Sequence, residues 1–425
     1  MRDILETLLE EGFDTIAETR ASVVRQLQFP KVDNIIKVAV GMRRSGKTYL
    51  LYQTIAELLE RGVERERILL INFEDDRLLP MTAKEMGKLI DLFYTLYPQN
   101  HNRRCYLFLD EVQNVPEWQL VVRRYLDSKN VDLYLTGSSA KLLSKEIATS
   151  LRGRSLSIEV WPYSFNEFLQ AHHISKPTQA FGQKTFDMMR QHLLHYFTKG
   201  GFPAVQHLPN KEWRETLQGY VDTVILRDII ERYGVSNIAL LKYLTSFLIK
   251  NAATCFSVNK FYNDVKSQGY KVGKETIHTY LAYLEDAYLV FTVPFYSESE
   301  RTKQNRPKKI YVVDNGLVNA NALGTNDLYN KFLENQIYLD LRRQGKDVYF
   351  YHTADGYEID FVSVDKDGSR ELLQITVDLT DPKTAAREQR ALEQAKKELG
   401  INGRIITMKD YLRSQRDSGN MGHNF

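Results

Sequence analysis

At 425 residues, 43% of them hydrophobic and 26% charged, the chain exceeds one ordinary core and is expected to fold as two or three domains. Its formal charge of +3 is too small for bulk charge to argue for nucleic acid, so local patches must carry any such case. Cys105 and Cys255 lie far apart with no CxxC spacing, which excludes a zinc knuckle and argues against a disulfide framework. Residues 1–12 are acidic rather than signal-like, and no apolar run has the length needed to span a bilayer, so a cytoplasmic protein is expected.

Residues 1–33 read as a helix and a connector, with Leu5, Leu8 and Leu9 at helical spacing, expected to pack beside the site that follows. Residues 38–51, VAVGMRRSGKTYLL, run from a β-branched strand through a glycine loop into an apolar helix. The spacing G-x-x-x-x-G-K-[ST] is that of a phosphate-binding loop. Gly41 and Gly46 let the backbone curl so that several N–H groups converge on phosphate oxygens, Lys47 reaches the β- and γ-phosphates, and the Thr48 hydroxyl takes a place on Mg²⁺. Gly41, Arg44, Ser45, Gly46, Lys47, Thr48 and Tyr49 are therefore the expected nucleotide contacts.

Residues 67–73 read as a buried strand ending in the acidic run 74–76, which faces the ligand edge of a parallel sheet or forms a solvated turn. Residues 105–111, CYLFLDE, are apolar until two terminal carboxylates. Such a strand, about sixty residues after a phosphate loop, reads as a Walker B segment, with Asp110 for the metal shell and Glu111 to polarise the attacking water. A third strand, 131–139, ends in hydroxyls, and Thr136 or Ser138 is expected to sense the γ-phosphate or to cap a helix over 140–147. Ser138 is the candidate carried forward. Arg152 and Arg154 follow, either of them a candidate arginine finger acting in cis or from a neighbour, or a surface ion pair.

Strands alternating with helices over this region indicate a parallel α/β sheet. From 161 the pattern turns helical to about 251, interrupted by the turn KGGFP at 199–203, and suggests a small helical lid. Residues 259–267 and 274–286 read as a helix-turn-helix, with strands over 289–296 and 309–313 as its wing. The link between them carries Arg301, Lys303, Arg306, Lys308 and Lys309, a basic hairpin suited to phosphate contact or simply to solvent. In the last third, Glu334, Glu358, Asp360 and the segment Gln374-Ile375-Thr376 follow the layout of a restriction-endonuclease-like core. Gln374 and Thr376 occupy the places where such cores carry Glu and Lys, so a retained fold without the cutting chemistry is expected.

With these pieces in order, nearly the whole chain resembles a prokaryotic family of AAA-type P-loop ATPases that carry a winged helix and a restriction-endonuclease-like C-terminal domain. The matching stretches are GMRRSGKTYLL, CYLFLDEVQNVPEW, LTGSSAKLL, LRGR, WPYSFNEF, GGFPAV, LRDI, YVVDNGL, FLENQIY and YEIDFV. The resemblance implies ATP and Mg²⁺ held by Gly46, Lys47 and Thr48, with Asp110 and Glu111 as the Walker B pair. It departs at LQIT, where members often read Glu-x-Lys. The expected domains are an ATPase core over 1–170, a lid over 171–238, a winged helix over 239–317 and a nuclease-like domain over 318–425. The expected activity is ATP hydrolysis coupled to conformational change, with double-stranded DNA or a protein as partner through the winged helix, no membrane, and room for oligomerisation. The alternatives are an ATP-regulated nuclease and a nucleotide-gated binding switch with little turnover.

Overall fold

The computed structural model describes residues 1–19, 23–139, 153–177, 182–322 and 328–415. The helix expected over 140–147 and the candidate Arg152 lie outside them. The chain divides into two compact units, one of residues 1–161 with 286–288 and the other of 162–285 with 289–425.

The first unit opens with α1 (Arg2–Thr19), whose Leu5, Leu8, Leu9 and Ile16 are buried on one face. There follow β1 (Ile36–Val40), α2 (Lys47–Glu60), β2 (Ile68–Asn72), α3 (Ala83–Leu96), β3 (Cys105–Asp110), α4 (Trp118–Ser128), β4 (Val131–Gly137) and β5 (Ser155–Glu159). The strands form one parallel sheet in the order β2-β3-β4-β1-β5. Every residue of β1 and β4 is buried, as expected for strands covered on both faces, which read as continuous apolar runs rather than as an alternation. Leu50, Leu51 and Ile55 of α2 form one cluster with Ile68, Leu70, Phe108 and Tyr134 of the sheet, and the Phe108 and Tyr134 rings stack at 4.5 Å. Two charges interrupt the apolar strands, and they satisfy each other: Lys37 Nζ lies 2.6 Å from Asp132 Oδ1.

The second unit begins with α5 (Phe165–Ala171), α6 (Gln183–Lys199), α7 (Asn210–Thr223) and α8 (Ile238–Lys250). The turn into α5 is fixed by a capping box in which Glu167 N donates to Ser164 Oγ at 3.2 Å and Ser164 N donates to Glu167 Oε2 at 2.8 Å. Helix α7 runs on into a π-helical segment, Val224–Glu231, where the LRDI stretch lies. Next come β6 (Thr254–Phe256), α9 (Val258–Ser267), α10 (Lys274–Asp286), β7 (Val290–Val293), α11 (Glu300–Asn305), β8 (Lys308–Val312) and α12 (Asn315–Asn321). The strands form a three-stranded antiparallel sheet, β6-β8-β7. The two-stranded basic hairpin expected here therefore gains a third strand, and its link is partly helical.

The chain then continues through α13 (Tyr329–Arg343), β9 (Asp347–His352), β10 (Glu358–Val364), β11 (Arg370–Thr376), α14 (Pro382–Leu399), β12 (Gly403–Thr407) and α15 (Met408–Ser414). Its sheet has the order β12-β11-β10-β9, with β12 parallel to β11 and the remaining pairs antiparallel. Helix α12 lies against α6, α7 and α8. Asp314 helps to anchor it. Buried at the head of α12, it accepts from Gly201 N at 2.6 Å and from Gly316 N at 2.8 Å, tying the GGFP turn to the DNGL turn. Asn335 does the same for α13, accepting from Val312 N at 2.8 Å and donating to Val312 O at 3.0 Å.

Candidate functional site

The loop between β1 and α2 lies at the C-terminal edge of the parallel sheet, the edge at which open α/β sheets bind their ligands. Two glycines allow its path. A Cβ on Gly41 would meet Val160 O at 2.2 Å, and Gly46 has φ 102°, in the left-handed region, at the head of α2. Arg25 braces the loop from outside: buried itself, it donates to Ser45 O at 2.9 Å and to Trp161 O at 2.6 Å. No sequence motif marks this arginine.

Four expected residues converge here. Lys47 Nζ, 3% exposed, donates to Gly41 O at 3.2 Å and Met42 O at 3.3 Å, and lies 3.2 Å from Glu111 Oε1. Thr48 Oγ1 donates to Asp110 Oδ2 at 2.7 Å. Asp110 also accepts from the Thr136 hydroxyl, which in turn accepts from Glu111 N at 2.9 Å. Thr136, one of the two hydroxyls considered at the end of this strand, thus ties β4 to both acids. The other, Ser138, touches them through Gln113, whose Nε2 donates to Glu111 Oε2 at 2.5 Å and to Ser138 Oγ at 3.4 Å. Glu111 itself holds φ 50°, a left-handed conformation that non-glycine residues seldom adopt.

The remaining loop residues divide. The Ser45 hydroxyl is buried and without a hydrogen-bond partner. Arg44 adopts φ 66° in the turn, and Tyr49 is half exposed with its ring tilted against Tyr52. Glu74, from the acidic run after β2, pairs with Arg43. Arg154 is elsewhere: its carbonyl accepts from Ile36 N at the start of β1, and its guanidinium pairs with Asp127 at 2.7 Å. The five residues of β1 separate it from the loop by about 16 Å at roughly 3.3 Å per residue, so Arg154 does not reach the loop within its own chain. The surface ion pair, one of the alternatives for this residue, is what forms.

The electrostatics of the adjacent acids diverge. Burial, reinforced by the neighbouring Glu111 charge, pushes the Asp110 carboxyl up to about 6 against the hydrogen bonds from Thr136 and Thr48. Burial would also raise Glu111, but the Lys47 ammonium and the Gln113 amide outweigh it and hold this carboxyl below its usual range.

A second charged cluster lies in the second unit. Lys309 Nζ, on β8, sits 2.8 Å from Glu334 Oε1, 2.6 Å from Glu358 Oε1 and 2.9 Å from Asp360 Oδ1, and Lys309 is 1% exposed. The expectation that Lys309 lies on a basic hairpin facing phosphates is corrected: its ammonium is consumed by three carboxylates. Tyr311 donates to Glu334 at 2.7 Å, Ile375 N donates to Asp360 Oδ2 at 2.8 Å, and Gln374 donates to Glu388 at 2.7 Å. Burial raises Glu334 to about 7 despite the lysine. For Lys309, burial alone would lower the ammonium, but the surrounding carboxylates carry it well above its ordinary value.

Residues 33–169 match the AAA domain family, and residues 190–328 match a domain of unknown function. The uncharacterized protein MJ1544 of Methanocaldococcus jannaschii is 34% identical over 402 residues, spanning 93% of this chain and 87% of that protein. An uncharacterized protein of Haemophilus influenzae is 33% identical over 347 residues, 81% of this chain and 83% of its own. The chain belongs to this prokaryotic family of AAA-type P-loop proteins. Among solved structures, the Aeropyrum pernix ORC1 protein in complex with DNA aligns at 13% identity and a TM-score of 0.31, over 73% of this chain and 91% of that one. Cdc6p from Pyrobaculum aerophilum aligns at 13% identity and a TM-score of 0.26, over 68% and 86%. Among the described residues, no helix is long and apolar enough to cross a membrane.

The raised Asp110 value carries a stability consequence. A carboxyl near 6 in the folded chain and near 4 in the unfolded chain favours folding at acid pH, and that contribution is lost as the pH rises through about 6. Asp110→Asn is therefore expected to stabilise the nucleotide-free protein at pH 7.5 by on the order of 2 kcal/mol, with the gain shrinking toward pH 4.5, as read by urea unfolding at both pH values.

Proposed function

We propose that this protein is a Mg²⁺-dependent ATPase whose turnover drives a conformational change in its second unit. The observation that carries the reading is the convergence of Lys47, Thr48, Asp110 and Glu111 at the C-terminal edge of a parallel sheet, on a loop closed by two glycines. The unpartnered Ser45 hydroxyl, the Thr48–Asp110 pair and the buried Lys47 ammonium fit a metal–nucleotide pair. Thr48 and Asp110 would hold Mg²⁺, which when bound neutralises phosphate charge.

In this reading the backbone N–H groups from Arg44 to Thr48 cradle the phosphates. Lys47 exchanges Glu111 for a phosphate oxygen, and the released Glu111 carboxylate orients the attacking water. Gln113 and Ser138 hold that carboxylate in line, and Thr136 fixes the two strand ends against each other. Phosphoryl transfer needs positioning and charge stabilisation rather than covalent help, so this small set suffices. Arg154, given its distance within the chain, would serve as a finger only from a neighbouring copy, whereas Arg152 stays a candidate in cis or from a neighbour. The Lys47–Glu111 contact also favours the second reading, a nucleotide-gated switch, in which that bridge keeps the nucleotide-free site at rest.

We infer further that residues 171–238 act as a lid, 239–317 as a winged helix and 318–425 as a nuclease-like domain without cleavage. Gln374 and Thr376 support the last point, as does Lys309, which already balances the carboxylates that a metal would need. DNA contact through the basic link would fall to Arg301, Arg306 and Lys308 rather than Lys309.

Two assays test these readings. Mg²⁺-dependent phosphate release is expected from the parent, lost in Lys47→Ala and reduced at least about a hundredfold in Glu111→Gln. Unchanged release in both variants would remove the assignment. Incubated with duplex or single-stranded DNA and Mg²⁺ or Mn²⁺, the full chain is expected to leave the DNA uncut. Cleavage by the parent that disappears in Asp360→Ala would establish a nuclease instead.

A further inference from the structure

Beside the Lys309 cluster, on its outer side, three residues of different chemistry meet. Cys255 Sγ, a ring nitrogen of His352 and a carboxylate oxygen of Glu358 all lie within 4.8 Å of one another. Cys255 lies about a hundred residues before the other two in the sequence, and two strand registers bring the three together. His352, the last residue of β9, is the antiparallel partner of Glu358, the first of β10, and His352 Nε2 is 3.1 Å from Glu358 Oε2. Cys255 on β6 is the cross-strand partner of Lys309 on β8, and directly paired residues project from the same face of a sheet. Since Lys309 Nζ is bonded to Glu358 Oε1 at 2.6 Å, the same register delivers Cys255 to Glu358. The two sheets are joined by a parallel bridge between Phe295 and Phe350, so the meeting point is part of one framework.

We propose that Cys255, His352 and Glu358 form a binding site for a zinc-class divalent cation. A thiolate, an imidazole and a carboxylate are a borderline-soft donor set, suited to Zn²⁺ or Co²⁺ and poorly suited to Mg²⁺ or Ca²⁺. Around a tetrahedral ion at about 2.1 Å, donor atoms stand roughly 3.4 Å apart. The His352–Glu358 pair is already near that spacing. Cys255 is exposed, on an edge that solvent reaches, so that closing the remaining ångström or so and taking a water as fourth ligand complete the proposed site. On binding, the Cys255 thiol gives its proton to water, the S–H bond being replaced by a sulfur–metal bond with no change of oxidation state. The other oxygen of Glu358 keeps the Lys309 ammonium as its partner, an outer contact that orients the carboxylate. The mixed donor set and the registers that assemble it are independent of the ATPase reading.

The test uses the full chain, stripped with chelator and titrated with Zn²⁺ against a chromophoric competitor, and in parallel with Co²⁺. The expected result is one tight equivalent of zinc and, with cobalt, a thiolate-to-metal charge-transfer band in the near ultraviolet. Both are expected to be lost or weakened on the order of a hundredfold or more in Cys255→Ser and in His352→Ala, and to persist in Cys105→Ser, whose thiol is buried in the first unit. Because Cys255 is exposed, its serine variant is expected to keep the parent's circular dichroism and melting temperature without metal. Absence of the charge-transfer band in the parent would overturn the proposal, as would zinc bound equally well by Cys255→Ser.

Discussion

The first unit is arranged around one buried electrostatic problem: two adjacent carboxylates, Asp110 and Glu111, and one ammonium, Lys47, lie buried together. Isolated buried charges are too costly to persist, so each must be matched by an opposite charge or by hydrogen-bond donors. Glu111 takes the ammonium. Asp110 takes two threonine hydroxyls, from Thr48 on α2 and Thr136 on β4. The sheet order follows from this need, since placing β4 between β1 and β3 sets Thr136 next to Asp110 while β1 feeds the loop that carries Lys47. In the proposed mechanism the same contacts are those that phosphate and metal replace, so the arrangement that satisfies the resting charges also prepares the site for its ligand.

The second unit solves a similar problem differently. Here one lysine, Lys309, is surrounded by three carboxylates, Glu334, Glu358 and Asp360. Asp314 and Asn335 fasten the adjoining turns with backbone hydrogen bonds, which is why the DNGL and FLENQIY stretches carry polar residues in otherwise buried positions. The buried amide of Gln374 donates to Glu388, so this carboxylate too has a donor from the chain.

What was legible in the sequence was what is local in the chain. The glycine loop, the apolar strand closed by Asp110 and Glu111, and the alternation of strands with helices all lie within short windows, where period and terminal residue type report fold directly. Thr136 and Ser138 were visible as candidates for the same reason. Arg25 was not, because its role is to reach two backbone carbonyls, and no spacing announces that. Lys309 was misread because it sits among lysines and arginines in a link that looks solvated. Its carboxylate partners lie 25 to 51 residues away, on α13 and β10, and meet it only in the folded chain. Cys255 and His352 are hidden likewise, since no single element contains both.

The central claim is that Glu111 competes with the nucleotide for Lys47, and one titration tests it directly. ATP affinity is measured for the parent and for Glu111→Gln, which keeps the shape of the side chain and removes its charge. The account predicts tighter binding by the variant, by up to about tenfold, equivalent to about 1.4 kcal/mol of lost competition. Equal or weaker binding by Glu111→Gln would contradict it, and would mean that the Lys47–Glu111 contact does not oppose ligand entry.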